Sequence, residues 1–204
     1  MKKLIYIGII IGLSHLSIYA QNWISNPSIY STLQINQFNT KKSEGNIGYT
    51  LGVNASQPLS KLLSISYGIG ITHKNLRHSK SKPYNTISDY SSYWVTIPIQ
   101  GHLWISKNST LYMGGYYNIH INTKKSVREE INNSFLETER PNITSYKKRS
   151  NTSIKTDNQY GITCGASTKI TKQGTLLLDY QLGLKKVYDV SKDSTLSVTY
   201  NHKF

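Results

Sequence analysis

Two histidines, His102 and His120, are the residues whose type and spacing come nearest to a metal or proton-transfer site. Imidazole nitrogens bind transition metals and exchange protons near neutral pH. The two residues share one side of neighbouring predicted strands, but their heights differ and no carboxylate accompanies them at ligand spacing. We therefore interpret both histidines as polar filler of the interior. Neither a metal nor any other cofactor is predicted.

Asp179 is the acidic residue whose surroundings invite a catalytic interpretation, because it lies within an apolar strand pattern. Lys169 lies on the preceding predicted strand at a diagonal position, and Lys203 lies on the following strand. Charges inside a protein must be paired. The three residues therefore predict a structural ion pair centred on Asp179, and not a catalytic acid.

The elements that would position these residues show a period of two, in which apolar side chains alternate with polar ones or glycine. The pattern is weak in the first segment and strong in seven others, each about ten residues long, which is typical of membrane-spanning strands. Together they predict eight strands, which lie near residues 29–38, 47–56, 63–72, 93–105, 111–121, 160–170, 176–184 and 194–204.

The connections between these strands alternate in length. Three are short and carry the sequences "QPLSKL", "SKNST" and "TKQGT". The others are long and cover residues 39–46, 74–90, 123–157 and 185–194. A side of short turns opposite a side of long loops is typical of an outer-membrane barrel, with the short turns in the periplasm. We therefore predict an all-β, eight-stranded antiparallel up-and-down transmembrane barrel.

The amino terminus has the layout of a secretory signal peptide: two lysines, an apolar run from Leu4 to Leu13, and the small residue Ala20. The run is too short for a membrane-spanning helix. We predict that residues 1–20 are removed and that residues 21–204 form one barrel domain. Cys164 is the only cysteine, which excludes a scaffold held by intramolecular disulfides.

A soluble secreted barrel such as a lipocalin would carry the same alternation with its apolar side facing inward. The alternate strand positions that carry polar residues or glycine, which we call the polar parity, would face water in that fold. They hold almost no charge apart from Lys169, Asp179 and Lys203, which argues against a solvent-exposed face. Tyrosines also recur near strand ends, as in the aromatic belts of membrane proteins. The sequence therefore favours an apolar exterior in contact with lipid and a lumen packed with side chains.

The segments "YTLGVNASQPLSKLLSISYGIGITHK", "YWVTIPIQGHLWISKNSTLYMGGYYN" and "YGITCGASTKITKQGTLLLDYQLGL" resemble the small outer-membrane β-barrel family common in Bacteroidota. That family shares its architecture with OmpA- and OmpX-type barrels. The resemblance implies a location in the outer membrane of the cell. The chain ends in a strand whose last apolar residues, Val198, Tyr200 and Phe204, resemble the signal read by the outer-membrane assembly machinery, which is therefore an expected partner.

The charge is strongly basic, with a formal net charge of +14 for the whole chain. Most basic residues lie in the predicted long loops, and the densest group is Lys147, Lys148 and Arg149 in "SYKKRSNTSIK". An exported chain rarely meets nucleic acid, so we do not predict that partner. Phosphates of lipopolysaccharide and other outer-membrane lipids lie where these loops emerge, and this cluster is a candidate contact for them.

Two functions are consistent with these features. One is a structural barrel that stabilises the outer membrane through lipopolysaccharide contacts. The other is adhesion, recognition or a role in a secretion machine, in which loop 123–157 binds an extracellular ligand or a protein partner. An eight-stranded enzyme that modifies lipid A would need a serine and a histidine together on the lipid-facing side. Ser109 and His202 do not offer such a pair, so we predict no enzymatic activity.

Overall fold

The computed structural model describes residues 27–40, 43–80, 85–131, 145–188 and 190–204. The predicted signal peptide lies outside these residues. The described chain forms ten strands in the following order: β1 (Pro27–Phe38), β2 (Ser43–Glu44), β3 (Asn46–Pro58), β4 (Leu63–Lys80), β5 (Asn85–Trp104), β6 (Ser109–Ile131), β7 (Ser145–Ile154), β8 (Gln159–Lys169), β9 (Gly174–Gly183) and β10 (Asp193–Lys203).

Eight of these strands form a closed antiparallel barrel, as the sequence predicted. Their order around the barrel is β1, β3, β4, β5, β6, β8, β9 and β10. The last strand pairs with the first from Ser28 opposite Lys203 to Phe38 opposite Asp193. Because the sheet closes on itself, the barrel wall has no unpaired edge. The two further strands, β2 and β7, are added to β4 and β6 at one end.

The wall alternates between an apolar exterior and a polar interior. Burial in β1 alternates at every residue, with Ile29, Leu33 and Ile35 exposed and Gln34 and Asn36 buried. The same exposure of large apolar side chains recurs on the other barrel strands. This is the reverse of a water-soluble domain, which places its apolar side chains inside. No helix in the described part of the chain has the length and apolar character needed to cross a membrane.

Tyrosine rings fill the interior over glycines of the neighbouring strand. The Tyr112 side chain lies over Gly165, where a Cβ atom would come within 2.7 Å of the phenol oxygen. Tyr116 lies over Gly161 in the same way. Only glycine leaves room for these rings, because any side chain there would occupy the same space. The glycines of the polar parity therefore allow the interior to pack.

The barrel wall continues beyond its rim on one side. Strands β4, β5 and β6 contain 18, 20 and 23 residues, where the sequence predicted about ten. From Gly70 opposite Thr96, the pairing of β4 with β5 runs without interruption to Lys80 opposite Thr86. The prediction that residues 74–90 form a loop is therefore wrong. Polar residues can extend a strand because cross-strand pairing satisfies their backbone groups.

We call this extension the flared sheet and define it as residues 74–80, 85–92, 123–131 and 145–154. Within it, β6 pairs with β7 from Thr123 opposite Ile154 to Ile131 opposite Ser145. Much of the predicted loop 123–157 is thus a strand pair, and residues 132–144 lie outside the described residues. The seven residues of β4 in the flared sheet, 74–80, span about 23 Å along the strand. The flared sheet gives the protein a substantial surface outside the barrel.

Candidate functional site

The lower and middle lumen is held by hydrogen bonds between side chains of adjacent strands. Pairs of hydroxyl groups on neighbouring strands contact each other, either directly opposite or at a diagonal position. The pairs and their oxygen–oxygen distances are Thr32 and Thr199 at 2.8 Å, Thr50 and Thr72 at 2.9 Å, Thr72 and Thr96 at 2.6 Å, and Thr110 and Ser167 at 2.6 Å.

A buried ion pair crosses the upper lumen. Lys74 Nζ of β4 lies 2.8 Å from Asp193 Oδ2 of β10, and the two side chains are 2% and 1% exposed. The Lys74 ammonium also lies 5.6 Å from the ring centroid of Tyr116. Strands β4 and β10 are separated by β3 and β1. The pair therefore joins distant parts of the wall and is not a contact between neighbouring strands.

An apolar cluster closes the lumen above this ion pair, at the end with the long connections. We call it the cap and define it as Phe38, Leu76, Tyr90 and Val187, all of which are buried. Leu76 follows Lys74 by two residues on the inward face of β4, and Phe38 lies opposite Asp193 in the β1–β10 pairing. Phe38 thus lies at the height of the ion pair, and Leu76 lies two residues further from the barrel centre than Lys74.

The connection between β9 and β10 supplies part of the cap. Val187 and Ser191 form an isolated antiparallel bridge, and the Val190 amide donates to the Val187 carbonyl at 3.0 Å. Tyr188 has a φ of 54°, in the left-handed region that turns require. Its ring stacks on Tyr90 with a centroid distance of 4.5 Å. Burial raises the pKa of Tyr188 to about 12, so the phenol is neutral where it covers the lumen.

A surface ion pair holds the same connection from outside. Lys185 Nζ lies 2.9 Å from Asp157 Oδ2, which belongs to the segment between β7 and β8. The hydrogen bond from Lys185 keeps the pKa of Asp157 below its usual value. The connection is therefore attached to the rim at one point and packed into the cap at another.

The space left in the lumen is small. Two polar cavities of about 70 Å³ each remain between the side chains. Trp94 is fully buried, and its Nε1 donates to Ser92 Oγ at 2.8 Å. The buried amides of Asn118 and Gln159 carry atoms without a protein partner in the described chain, as is common where ordered water fills a polar cavity. The lumen is thus a filled and capped interior.

The structure does not bring Asp179 together with Lys169 or Lys203, so the predicted ion pair is corrected. The Asp179 carboxylate accepts hydrogen bonds from Ser197 Oγ at 2.6 and 2.8 Å. It also accepts from Gln181 Nε2 at 3.4 Å. None of the ion pairs between described residues includes Asp179.

The reason for the correction is the height of the two lysines. Asp179 lies opposite Gly165 and Ser197 in the strand pairing. Lys169 is four residues from Gly165 and Lys203 is six residues from Ser197, which places them about 13 and 20 Å further along the strands. Lys169 Nζ lies instead 4.7 Å from the ring centroid of Trp104, near the short-turn end.

The two histidines bind separate hydroxyl groups. His102 Nε2 lies 2.8 Å from Ser66 Oγ, and His120 Nε2 lies 2.8 Å from Thr123 Oγ1. His120 also packs against Trp94 with a centroid distance of 4.9 Å. Among the described residues, no group of three or more histidine, cysteine, aspartate or glutamate side chains is placed to hold a metal ion.

The carboxyl-terminal residues complete the wall. Val198, Tyr200 and Phe204 are exposed on the outer side of the barrel. The Phe204 amide donates to the Pro27 carbonyl at 3.4 Å, so the two ends of the described chain meet at the short-turn end.

The basic cluster Lys147, Lys148 and Arg149 lies within β7. The backbone of Arg149 is opposite that of Arg128, and Lys148 is opposite Glu129. Among the described strands, β7 pairs with β6 alone. The sequence placed this cluster correctly in the longest connection but did not assign it to a strand.

A third cavity, of about 550 Å³, lies on the flared sheet. An ion triad borders it: Arg77 Nε lies 2.6 Å from Asp89 Oδ1, and Arg77 Nη1 lies 3.0 Å from Glu44 Oε2. The hydrogen bonds to Asp89 and Glu44 raise the pKa of Arg77 above its usual value. The sequence missed this cavity because residues 74–90 were interpreted as a loop.

The residues of the upper lumen were also missed, although a signal was present. Lys74 continues the inward parity of Ser66 and Thr72, and Asp193 continues that of Thr195 and Ser197. If the inward positions of each strand are extended beyond the segment in which the outward positions are apolar, both charges fall inside the barrel. The apolar parity ends earlier than the strand does.

Comparison with known proteins gives structural neighbours but no sequence relatives. No family model and no curated protein matches the chain. The neighbours are small outer-membrane barrels. Ail, the attachment invasion locus protein of Yersinia pestis, is 14% identical with a TM-score of 0.46, over 88% of this chain and 97% of that one. CarO of Acinetobacter baumannii is 9% identical with a TM-score of 0.45, over 90% and 99%. Neisserial surface protein A is 12% identical with a TM-score of 0.44, over 88% and 96%.

Proposed function

We propose that the protein is a non-enzymatic outer-membrane barrel that acts through its outer surface. The observation that carries this proposal is the combination of an apolar exterior with a filled and capped interior. The transfer of the exposed apolar side chains from water into lipid lowers the free energy of the protein. A capped lumen leaves the flared sheet as the larger accessible polar surface. This arrangement favours a structural or binding role at the cell surface over transport.

Aromatic residues support the placement in a membrane. The rings of Tyr49, His73 and Tyr93 form a row on the outer side of three adjacent strands, with centroid distances of 5.1 and 4.7 Å. Rings of this kind concentrate at the boundary between lipid tails and water. The row lies toward the long-connection end, beneath the flared sheet. We place that end outside the cell and the short turns in the periplasm, as in other barrels of this type.

The partners follow from this placement and remain proposals. Outer-membrane lipids and lipopolysaccharide would contact the exterior and the basic residues of β7, including Lys147, Lys148 and Arg149. Val198, Tyr200 and Phe204 would form the signal for the assembly machinery. Recognition of an extracellular ligand or protein is a second candidate function. The strand pair β6–β7 favours it, because a paired hairpin presents a surface at lower entropic cost than a loop.

A matched pair of substitutions tests the membrane placement. Leu33 and Leu59 are equally exposed, at 63% and 65%, but Leu33 lies mid-strand on β1 and Leu59 lies in a short turn. We expect Leu33→Arg to lower the free energy of unfolding in lipid vesicles by about 2–4 kcal/mol, and Leu59→Arg by about 0–1 kcal/mol. The measurement is urea unfolding in vesicles, with heat-modifiable gel migration as the check on folding. Equal tolerance of both substitutions would show that the exterior faces water.

A further inference from the structure

The larger cavity lies on the outer face of the flared sheet, directly above the aromatic row. Side chains two residues apart on a strand face the same side. Asn75 is two residues from His73, and Ser91 is two residues from Tyr93, so both share the outer face with the aromatic row. His73 Nε2 lies 2.9 Å from Ser91 Oγ, which confirms that the faces are continuous. The cavity therefore lies two residues further along the strands than the aromatic row, on the side away from the apolar exterior.

The lining of this cavity is rich in hydrogen-bond donors. Asn75, Ser91, Ser126, Thr152 and Ser153 contribute polar groups around its wall, of which Asn75 Nδ2 already donates to Ile47 O at 2.8 Å and Ser153 Oγ to Asn122 Oδ1 at 3.2 Å. Ser126 Oγ is buried and has no partner among the described residues. Donors that converge on a cavity of this volume are typical of a site for a small polar ligand.

The charges around the cavity favour an anion. Asp89 is the acidic residue in the lining, and Glu44 borders it; both carboxylates are bound by Arg77. Lys124 lines the cavity, is exposed, and is paired with no carboxylate in the described part of the chain. Lys125 faces the opposite side of the sheet, where its Nζ lies 5.5 Å from the ring centroid of Tyr90, so Lys124 is the cation on the outer face. An anionic ligand would therefore find an available cation and several donors.

We propose that this cavity binds the phosphate group of a lipid in the surrounding outer leaflet. The proposal rests on the membrane placement argued above, because that placement puts the cavity at the height of the lipid headgroups. Lys124 supplies the charge, and Ser91 and Asn75 supply neutral contacts. The acyl chains of the same lipid lie against the apolar exterior below. Headgroup and chains are thus bound by continuous parts of one outer surface.

The test uses the mature protein in phosphatidylcholine nanodiscs that contain increasing amounts of phosphatidic acid, whose headgroup is a phosphate monoester. Retained phosphatidic acid is counted by native mass spectrometry after release into detergent. We expect Lys124→Gln to weaken retention about tenfold, since a hydrogen bond to a charged group is lost. Lys107→Gln is the control, because Lys107 is an exposed lysine in a short turn at the other end of the barrel. Its retention should equal that of the native protein.

Two results would overturn the proposal. One is an equal effect of the two substitutions, which would show that retention depends only on net charge. The other is displacement of the lipid by an equal concentration of glycerol 3-phosphate, which would assign the cavity to a free phosphate ester. Heat-modifiable migration of both variants shows that they remain folded. A failure of the membrane placement would appear separately, in the comparison of Leu33→Arg with Leu59→Arg.

Discussion

Removal of Asp193 should destabilise the barrel more than any exposed charge substitution. The variant Asp193→Ala leaves the Lys74 ammonium without a carboxylate, at 2% exposure. At the observed distance of 2.8 Å and an effective dielectric constant of about 20, the lost attraction is about 6 kcal/mol. Part of this attraction offsets the cost of burying two charges, so the expected loss in the free energy of unfolding is about 3–5 kcal/mol.

The assay is urea unfolding in lipid vesicles, followed by tryptophan fluorescence, to which the buried Trp94 contributes. The double variant Lys74→Met with Asp193→Asn removes both charges and should recover most of the loss. Lys185→Met breaks an ion pair of nearly the same length, 2.9 Å, that is exposed to water. It should leave the free energy of unfolding essentially unchanged. If Asp193→Ala has no larger effect than Lys185→Met, the reasoning about the buried pair is refuted.

Three further predictions concern the lumen and its cap. The native protein in planar lipid bilayers should show no steady ion conductance, and an open-pore current would contradict a capped lumen. Gly165→Ala should cost about 1–3 kcal/mol of stability because a methyl group meets the Tyr112 phenol. Gly101→Ala should cost less because its Cβ would meet only a carbonyl at 3.8 Å. Equal unfolding curves for the two variants would argue against the ring packing. The contact of Lys185 with Asp157 should slow hydrogen exchange at the backbone amides of residues 184–192. This slowing should be fully present above pH 3.8, the usual carboxyl pKa, and should be lost as the pH falls through the lower pKa of Asp157 in the folded state. Hydrogen exchange of the native protein and of Asp157→Asn measures the difference, which should vanish in acid.

The barrel was predictable because its signal is local. Alternation of apolar and polar residues fixes which side of a strand faces lipid, and the strand count and the short turns follow from the same pattern. The eight-stranded closed fold is confirmed on this basis. The lengths of β4, β5 and β6 were not predictable in the same way. Their outer halves lack an apolar lipid-facing parity, because the outward positions carry polar side chains such as Asn75, Arg77 and Ser91.

The candidate sites depended on information that no single strand contains. Asp179 and Lys169 were paired because they lie on the same side of adjacent predicted strands, but the relative heights of side chains in a barrel are set by the registers of successive strand pairs. The Lys74–Asp193 pair depends on four strands at once. The cavity on the flared sheet likewise requires β4, β5, β6 and β7 to be aligned. Local patterns identify the face of a residue, and only the register identifies its partners.

The buried ion pair also has a consequence for the order of folding. Lys74 and Asp193 are 119 residues apart in the chain, and they meet only after β1 and β10 have closed the barrel. Contacts between residues so distant in sequence form late, because the entropy of closing the intervening chain must first be overcome. A contact that is absent from the transition state affects the unfolding rate and leaves the folding rate nearly unchanged. The pair therefore sets how slowly a finished barrel opens, and contributes little to how quickly it is made.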